Sequence, residues 1–152
     1  MNTRFEFEPN FPTDLLHSVA GLLKRYEWLV PLWCQRILVR FRGDSEDGED
    51  ADCTTRKDYR WSVITIRGNF LEETERGRRI SIVHELVHIP TTRVFSYAAD
   101  TVDLLFKDGD APKFHQHIKD GLREHYEAGV QDLAERIIAF EDSIAPFLGY
   151  IQ

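Results

Sequence analysis

Cysteine is nearly missing from this chain: Cys34 and Cys53 are the only two among 152 residues. They stand nineteen positions apart and form no C-x-x-C pair, so they supply neither a disulfide framework nor a cysteine-type zinc site. Long apolar runs are missing too. Nothing approaches the roughly 20 residues of a membrane-spanning helix, and Met1 to Glu6 holds no signal-peptide core. The expectation is a reduced, cytoplasmic protein without a membrane partner. Basic charge is also scarce, with 19 Lys and Arg against 26 Asp and Glu and a formal net charge of −7. The basic residues are scattered apart from short clusters around Arg36 to Arg42 and Arg76 to Arg79. This excludes an extended nucleic-acid footprint and argues against a protease working at DNA. A hydrophobic content of 42%, with 12% aromatics, is enough for a packed core, and the length fits one domain over residues 1–152.

The pattern along the chain alternates between helical and extended periods. Residues 1–11 read as an extended lead-in before Pro12, with Thr13 or Asp14 as a helix cap. Leu15 to Trp28 places Leu15, Val19, Leu22, Leu23 and Tyr26 on one helical face, and Pro31 interrupts it. From Cys34 to Phe41 the period falls to two, with Ile37, Val39 and Phe41 on one side of a half-buried strand. Gly43 to Asp52 is an acidic loop lacking the ordered ligand positions of a calcium-binding EF-hand, and reads as a solvated connection. Tyr59 to Arg67 is a second strand, either an ordinary inner strand or, if it borders the active-site cleft, one whose free edge pairs with an extended peptide.

A helix is expected to begin between Leu71 and Glu75 and to kink or end at Pro90. Val94 to Phe106 forms a further helical pattern, and Lys107 to Asp110 a loop. A last helix runs from Lys113 to about Phe140, with Ile118, Leu122, Tyr126, Val130, Leu133, Ile137 and Phe140 on its apolar stripe. The fold class is therefore α+β.

Chemistry concentrates at Val83-His84-Glu85-Leu86-Val87-His88-Ile89, which contains H-E-x-x-H. Four residues apart on a helix, His84 and His88 lie one turn above each other and can offer imidazole nitrogens to one metal ion. Glu85 sits about 100° round the helix, where a carboxylate reaches a water at the metal's open position without being a ligand. The neighbouring positions are apolar almost all round, so polar side chains here need a reason beyond solvation. Satisfied core histidines beside a salt-bridged glutamate are the plain alternative.

A zinc ion also needs a third protein ligand. The longer H-E-x-x-H-x-x-G-x-x-H spacing fails, since Thr91 and Val94 stand where its glycine and third histidine would be. Glu127 falls at the edge of the last helix's stripe, flanked in projection by Ala134 and Ile138, where a half-buried carboxylate belongs. Glu124, on the polar face with Gln131 and Glu135, Asp120, and the histidines His115 and His117 are the other candidates.

Taken together, Asn69-Phe70-Leu71-Glu72, Arg78-Arg79, the H-E-x-x-H segment and Glu127-Ala128-Gly129-Val130-Gln131-Asp132-Leu133-Ala134 resemble the minimal zincins. More narrowly, the chain is similar to the small metallopeptidases of gluzincin type encoded by phages and bacteria. It differs from thermolysin-like enzymes in its small size and in lacking their N-E-x-x-S-D surroundings. The resemblance implies a zincin fold with one Zn²⁺ on His84, His88 and Glu127, and with Glu85 as general base. A peptide or protein would be the substrate. Tyr97, Tyr126, Arg93 and His117 are candidates for stabilising the oxyanion. The competing expectation is a zincin-fold binding or regulatory protein with a structural metal or vestigial activity.

Overall fold

Alternation of β-branched residues builds a small sheet, and helical apolar faces close over it. The structure is a computed structural model describing residues 3–44, 48, 50–56, 60–106 and 112–148. In chain order the elements are β1 (Arg4–Phe7), α1 (Thr13–Arg25), β2 (Arg36–Phe41), β3 (Ala51–Arg56), β4 (Trp61–Ile66), α2 (Glu75–Leu105) and α3 (Pro112–Leu148). Short 3-10 turns at Glu27–Leu29 and Gly68–Leu71 follow α1 and precede α2. This is a mixed α+β fold. No described helix is long and apolar enough to cross a membrane.

The strand order is β1-β2-β4-β3. β1, β2 and β4 run parallel, and β3 pairs antiparallel with β4 from Ala51 opposite Ile66 to Arg56 opposite Trp61. Ile37 and Val39 of β2 and Ile64 and Ile66 of β4 are fully buried. They join Val19 and Leu23 of α1 and Ile82, Leu86 and Ile89 of α2 in one apolar cluster. The other face of β4 is closed by polar contacts. Arg40 Nε donates to Thr65 Oγ1 at 2.9 Å, and Thr65 donates to an Asp52 carboxylate that Arg67 also holds at 2.7 Å. Residues Ser62 to Ile66 are consequently buried on both sides.

Several expectations are corrected by this arrangement. Of the two readings of the second strand, the inner one holds and the free edge does not, because β4 lies between β2 and β3. The edge strand next to β4 is β3, whose first residues Ala51 and Asp52 were expected to belong to the acidic loop. Its weakly apolar alternation of Ala51, Cys53 and Thr55 against Asp52, Thr54 and Arg56 hides it from pattern reading. Residues 45–47 and 49 of that loop lie outside the described residues, as does the expected loop at Lys107 to Asp110. The lead-in contains a true strand, β1. Helix α1 starts after Pro12 without a side-chain cap, so neither Thr13 nor Asp14 caps it.

Pro90 does not end the central helix, which continues to Leu105 and absorbs the separately expected Val94 to Phe106 helix. An internal proline costs about 3 kcal/mol through a missing N–H and a clash with the carbonyl four residues back. Tertiary packing outweighs that cost. On one side of Pro90, Ile82, Val83, Leu86, Val87 and Ile89 are core residues. On the other, Phe95 stacks on Tyr126 with centroids 4.4 Å apart, and Asp103 meets Lys119 at 2.9 Å. Thr91 Oγ1 and Thr92 Oγ1 donate to the carbonyls of Val87 and His88 at 2.7 and 2.6 Å, filling positions beside the interrupted turn.

Helix α3 lies along α2, burying Val130, Ala134 and Ile138. The expected stripe is therefore rotated, and Leu133 and Phe140 are exposed. Its C-terminal part is tied to the rest by a polar cluster. Arg79 reaches Glu141 and Asp142, each at 2.7 Å, and donates from Nε to Tyr26 Oη at 3.0 Å. Tyr26 and Arg25 also donate to Glu141. Burial pushes the Glu141 carboxyl up, but its hydrogen bonds from Tyr26, Arg79 and Arg25 outweigh this and hold it below the usual carboxylate value. A depressed folded-state pKa contributes stability above the unfolded value that is lost as pH falls through the folded one. Glu141→Gln is therefore expected to cost about 1–3 kcal/mol in urea unfolding at pH 7. The gap to wild type should close as pH falls below the ordinary glutamate range; a pH-independent gap would contradict this role.

Candidate metal centre

The register between α2 and α3 builds the site. Capped by Thr74, whose hydroxyl accepts from Gly77 N at 3.0 Å, α2 carries His84 and His88 one turn apart on the side facing α3. Glu127 comes from α3, one turn before the buried Val130. Its Oε2 lies 3.5 Å from His84 Nε2 and 3.3 Å from His88 Nε2, and the two Nε2 atoms are 3.0 Å apart. These three residues form a group that could hold a metal ion. For ligands about 2.0–2.1 Å from a tetrahedral ion, separations of about 3.3 Å are expected from trigonometry. The observed triangle matches that size.

Hydrogen bonding on the far side of each ring fixes the tautomers. Gln131 donates through Nε2 to Glu135 at 2.7 Å, which turns its carbonyl Oε1 toward His84 Nδ1 at 2.9 Å. His84 therefore carries its proton on Nδ1. Thr91 gives its hydroxyl proton to Val87 O, so it accepts from Tyr126 Oη at 2.9 Å, and Tyr126 Oη in turn accepts from His88 Nδ1 at 2.9 Å. Both Nε2 atoms are left with lone pairs aimed into the same small space. Burial lowers the His88 pKa below its ordinary value; His84 adds to the effect and Glu127 opposes it. Two imidazoles and a carboxylate make a donor set that could hold a cation.

Glu85 is buried yet lines the same cleft, a cavity of about 890 Å³ between β3, α2 and α3. Asp50 to Thr55 form one wall, and Thr92, Phe95, Ser96, Arg123 and Tyr126 lie toward the other end. Cys53 also faces this space, but burial, with the Glu85 carboxylate next, pushes its thiol up. Cys34 is likewise raised by burial. Neither thiol is poised as a nucleophile.

The other candidate ligands are elsewhere. Glu124 and His117 are exposed, Asp120 accepts from Gln116, and His115 pairs with Asp103 at 2.8 Å while stacking on Phe106. Among the oxyanion candidates, Tyr97 is exposed and Arg93 lies over the Trp33 ring at 4.6 Å. Of these, only Tyr126 lines the cleft, and its hydroxyl is already engaged with His88. Sequence reasoning assigned Gln131 to a solvated face. Its place one turn beyond Glu127, as His88 stands one turn beyond His84, was the available signal.

Comparisons with protein-family models, curated proteins and solved structures find no match for this chain. The case for function rests on the geometry.

If Gln131 and Tyr126 hold the imidazoles in their metal-ready tautomers, Gln131→Ala and Tyr126→Phe should each weaken metal affinity about 10- to 100-fold. Competition with a chelator of known affinity measures this, with circular dichroism confirming unchanged helix content. Wild-type affinity in both variants would contradict the tautomer assignment.

Proposed function

We propose that this chain is a zinc-dependent metallopeptidase of the gluzincin type. The observation that carries the reading is one cleft containing the His84, His88 and Glu127 donor set, the Glu85 carboxylate and the outer strand β3. Two imidazoles and one carboxylate are the donors of a catalytic zinc, whose fourth position stays open. When bound, zinc supplies Lewis acidity toward a peptide carbonyl and lowers the pKa of water to about 7.

The protein groups then perform the remaining work. Glu85 accepts a proton from the attacking water as its oxygen bonds to the carbonyl carbon, and delivers that proton to the departing amine as the C–N bond breaks. Its near-complete burial keeps the carboxylate in a medium where proton transfer is not short-circuited by bulk water. β3 pairs with β4 along one side only, and its other side borders the cleft. Strand addition there would hold a peptide extended across Glu85 through main-chain hydrogen bonds, with a protein or peptide segment as the substrate. Free thiols at Cys34 and Cys53 suit a reducing, cytoplasmic setting.

A structural metal in a binding or regulatory protein would call for four closed ligands and no base. The described group has three donors and opens on a cavity, which favours hydrolysis. The Glu85→Gln substitution keeps size and polarity but removes the base. With zinc bound, it should lower peptide turnover by about 10²- to 10⁴-fold while metal content is unchanged. Undiminished turnover, or loss of metal from this variant, would contradict the assigned role.

A further inference from the structure

Beyond Glu127, the cleft carries two polar side chains that the chemistry above does not use. Arg123 is one helical turn before Glu127 on α3, and Ser96 stands on α2; both line the cavity. Contacts between the two helices bracket them. The Phe95 ring stacks on Tyr126, and eight residues later on α2 Asp103 meets Lys119. Ser96 and Arg123 both lie on the stretch of the α2–α3 hairpin between these two contacts.

Arg123 has no ion pair or hydrogen bond among the described residues, although Glu124 adjoins it and Glu127 is one turn away. Ser96 Oγ likewise has no partner among them. Arg67, Arg79 and Arg136 each meet a carboxylate within 2.8 Å. Acidic side chains outnumber basic ones by 26 to 19. Arg40, Arg78 and Arg93 meet neutral partners instead, and Arg123, exposed at the rim of the cleft, is left without a carboxylate partner among the described residues.

The charge of the cleft also differs between its ends. Asp50 and Glu73 line the end near the start of α2, while Arg123 lines the end beyond Glu127. An anionic group would be repelled at the first and attracted at the second. The planar guanidinium offers two parallel donors to a carboxylate, and a serine hydroxyl in the same cavity is a further donor.

From this we infer that Arg123, with Ser96, is a specificity site that recognises a carboxylate of the peptide substrate. The carboxylate belongs either to an Asp or Glu side chain near the scissile bond or to the peptide's own C-terminus. This rests on the peptidase reading and adds the substrate's charge to it.

The test is digestion of a defined mixture of synthetic peptides by the zinc-loaded protein, each peptide made with free and amidated C-termini, with products read by mass spectrometry. Wild type is compared with Arg123→Ala, Arg123→Glu and Ser96→Ala; circular dichroism and zinc content show that each variant is folded and loaded. Wild type should favour carboxylate-bearing peptides, and Arg123→Ala should lose roughly tenfold in kcat/KM on them while retaining activity on neutral ones. Arg123→Glu should shift preference toward Lys and Arg, and Ser96→Ala should show a smaller loss. Preference that disappears on amidation identifies the C-terminal carboxylate; preference that survives identifies an acidic side chain. Cleavage without carboxylate preference, or an unchanged profile in both Arg123 variants, overturns this inference and leaves the peptidase reading standing. No cleavage by zinc-loaded wild type overturns both.

Discussion

The approach of two imidazole Nε2 atoms to 3.0 Å is the constraint on which the rest of the site depends. The folded chain has to hold that approach, with the Glu127 carboxylate 3.3 Å from His88 Nε2. It does so from behind. Gln131 and the Tyr126–Thr91 pair occupy the outer nitrogens, while Glu127 closes the triangle from α3. Each of these contacts depends on a single register between α2 and α3, since Tyr126, Glu127 and Gln131 must meet His88 and His84 together. A slip of one residue would turn Glu127 about 100° away.

That register is fixed by burial on one side and polar ties at the ends. Val130, Ala134 and Ile138 pack α3 into the core, and Arg79 with Tyr26 clamps the far turns around Glu141. The Phe95 and Tyr126 rings and the Asp103 contacts hold the other end of the hairpin. The sheet supplies the third wall: β4 is buried on both faces, leaving the polar, small-residue strand β3 beside the cleft. Every buried side-chain nitrogen and oxygen among the described residues has a partner, so the polar groups around the site are integrated into the packing.

The legible parts of the sequence were those with strong local periodicity or a fixed chemical spacing. Ile37, Val39 and the H-E-x-x-H pair announced themselves, and Glu127 was favoured from its flanking Ala134 and Ile138, both of which are buried. β3 was not legible, because its inward residues are Ala51, Cys53 and Thr55 and its neighbour in sequence is an acidic run. The passage of α2 through Pro90 was equally hidden, since contacts with α3 and two threonine hydroxyls decide it. Gln131 looked like a solvated amide because its partner His84 is 47 residues away. Local propensity reports what a segment does alone; these elements are set by what they touch.

The central claim is that His84, His88 and Glu127 hold one metal ion. Elemental analysis of protein purified without added zinc or chelator tests it most directly, comparing wild type with His88→Ala and Glu127→Ala. A single zinc per wild-type chain, lost from both variants, is the expected result. Wild-type protein that stays empty even after zinc is supplied, or full zinc retention by Glu127→Ala, would contradict the account.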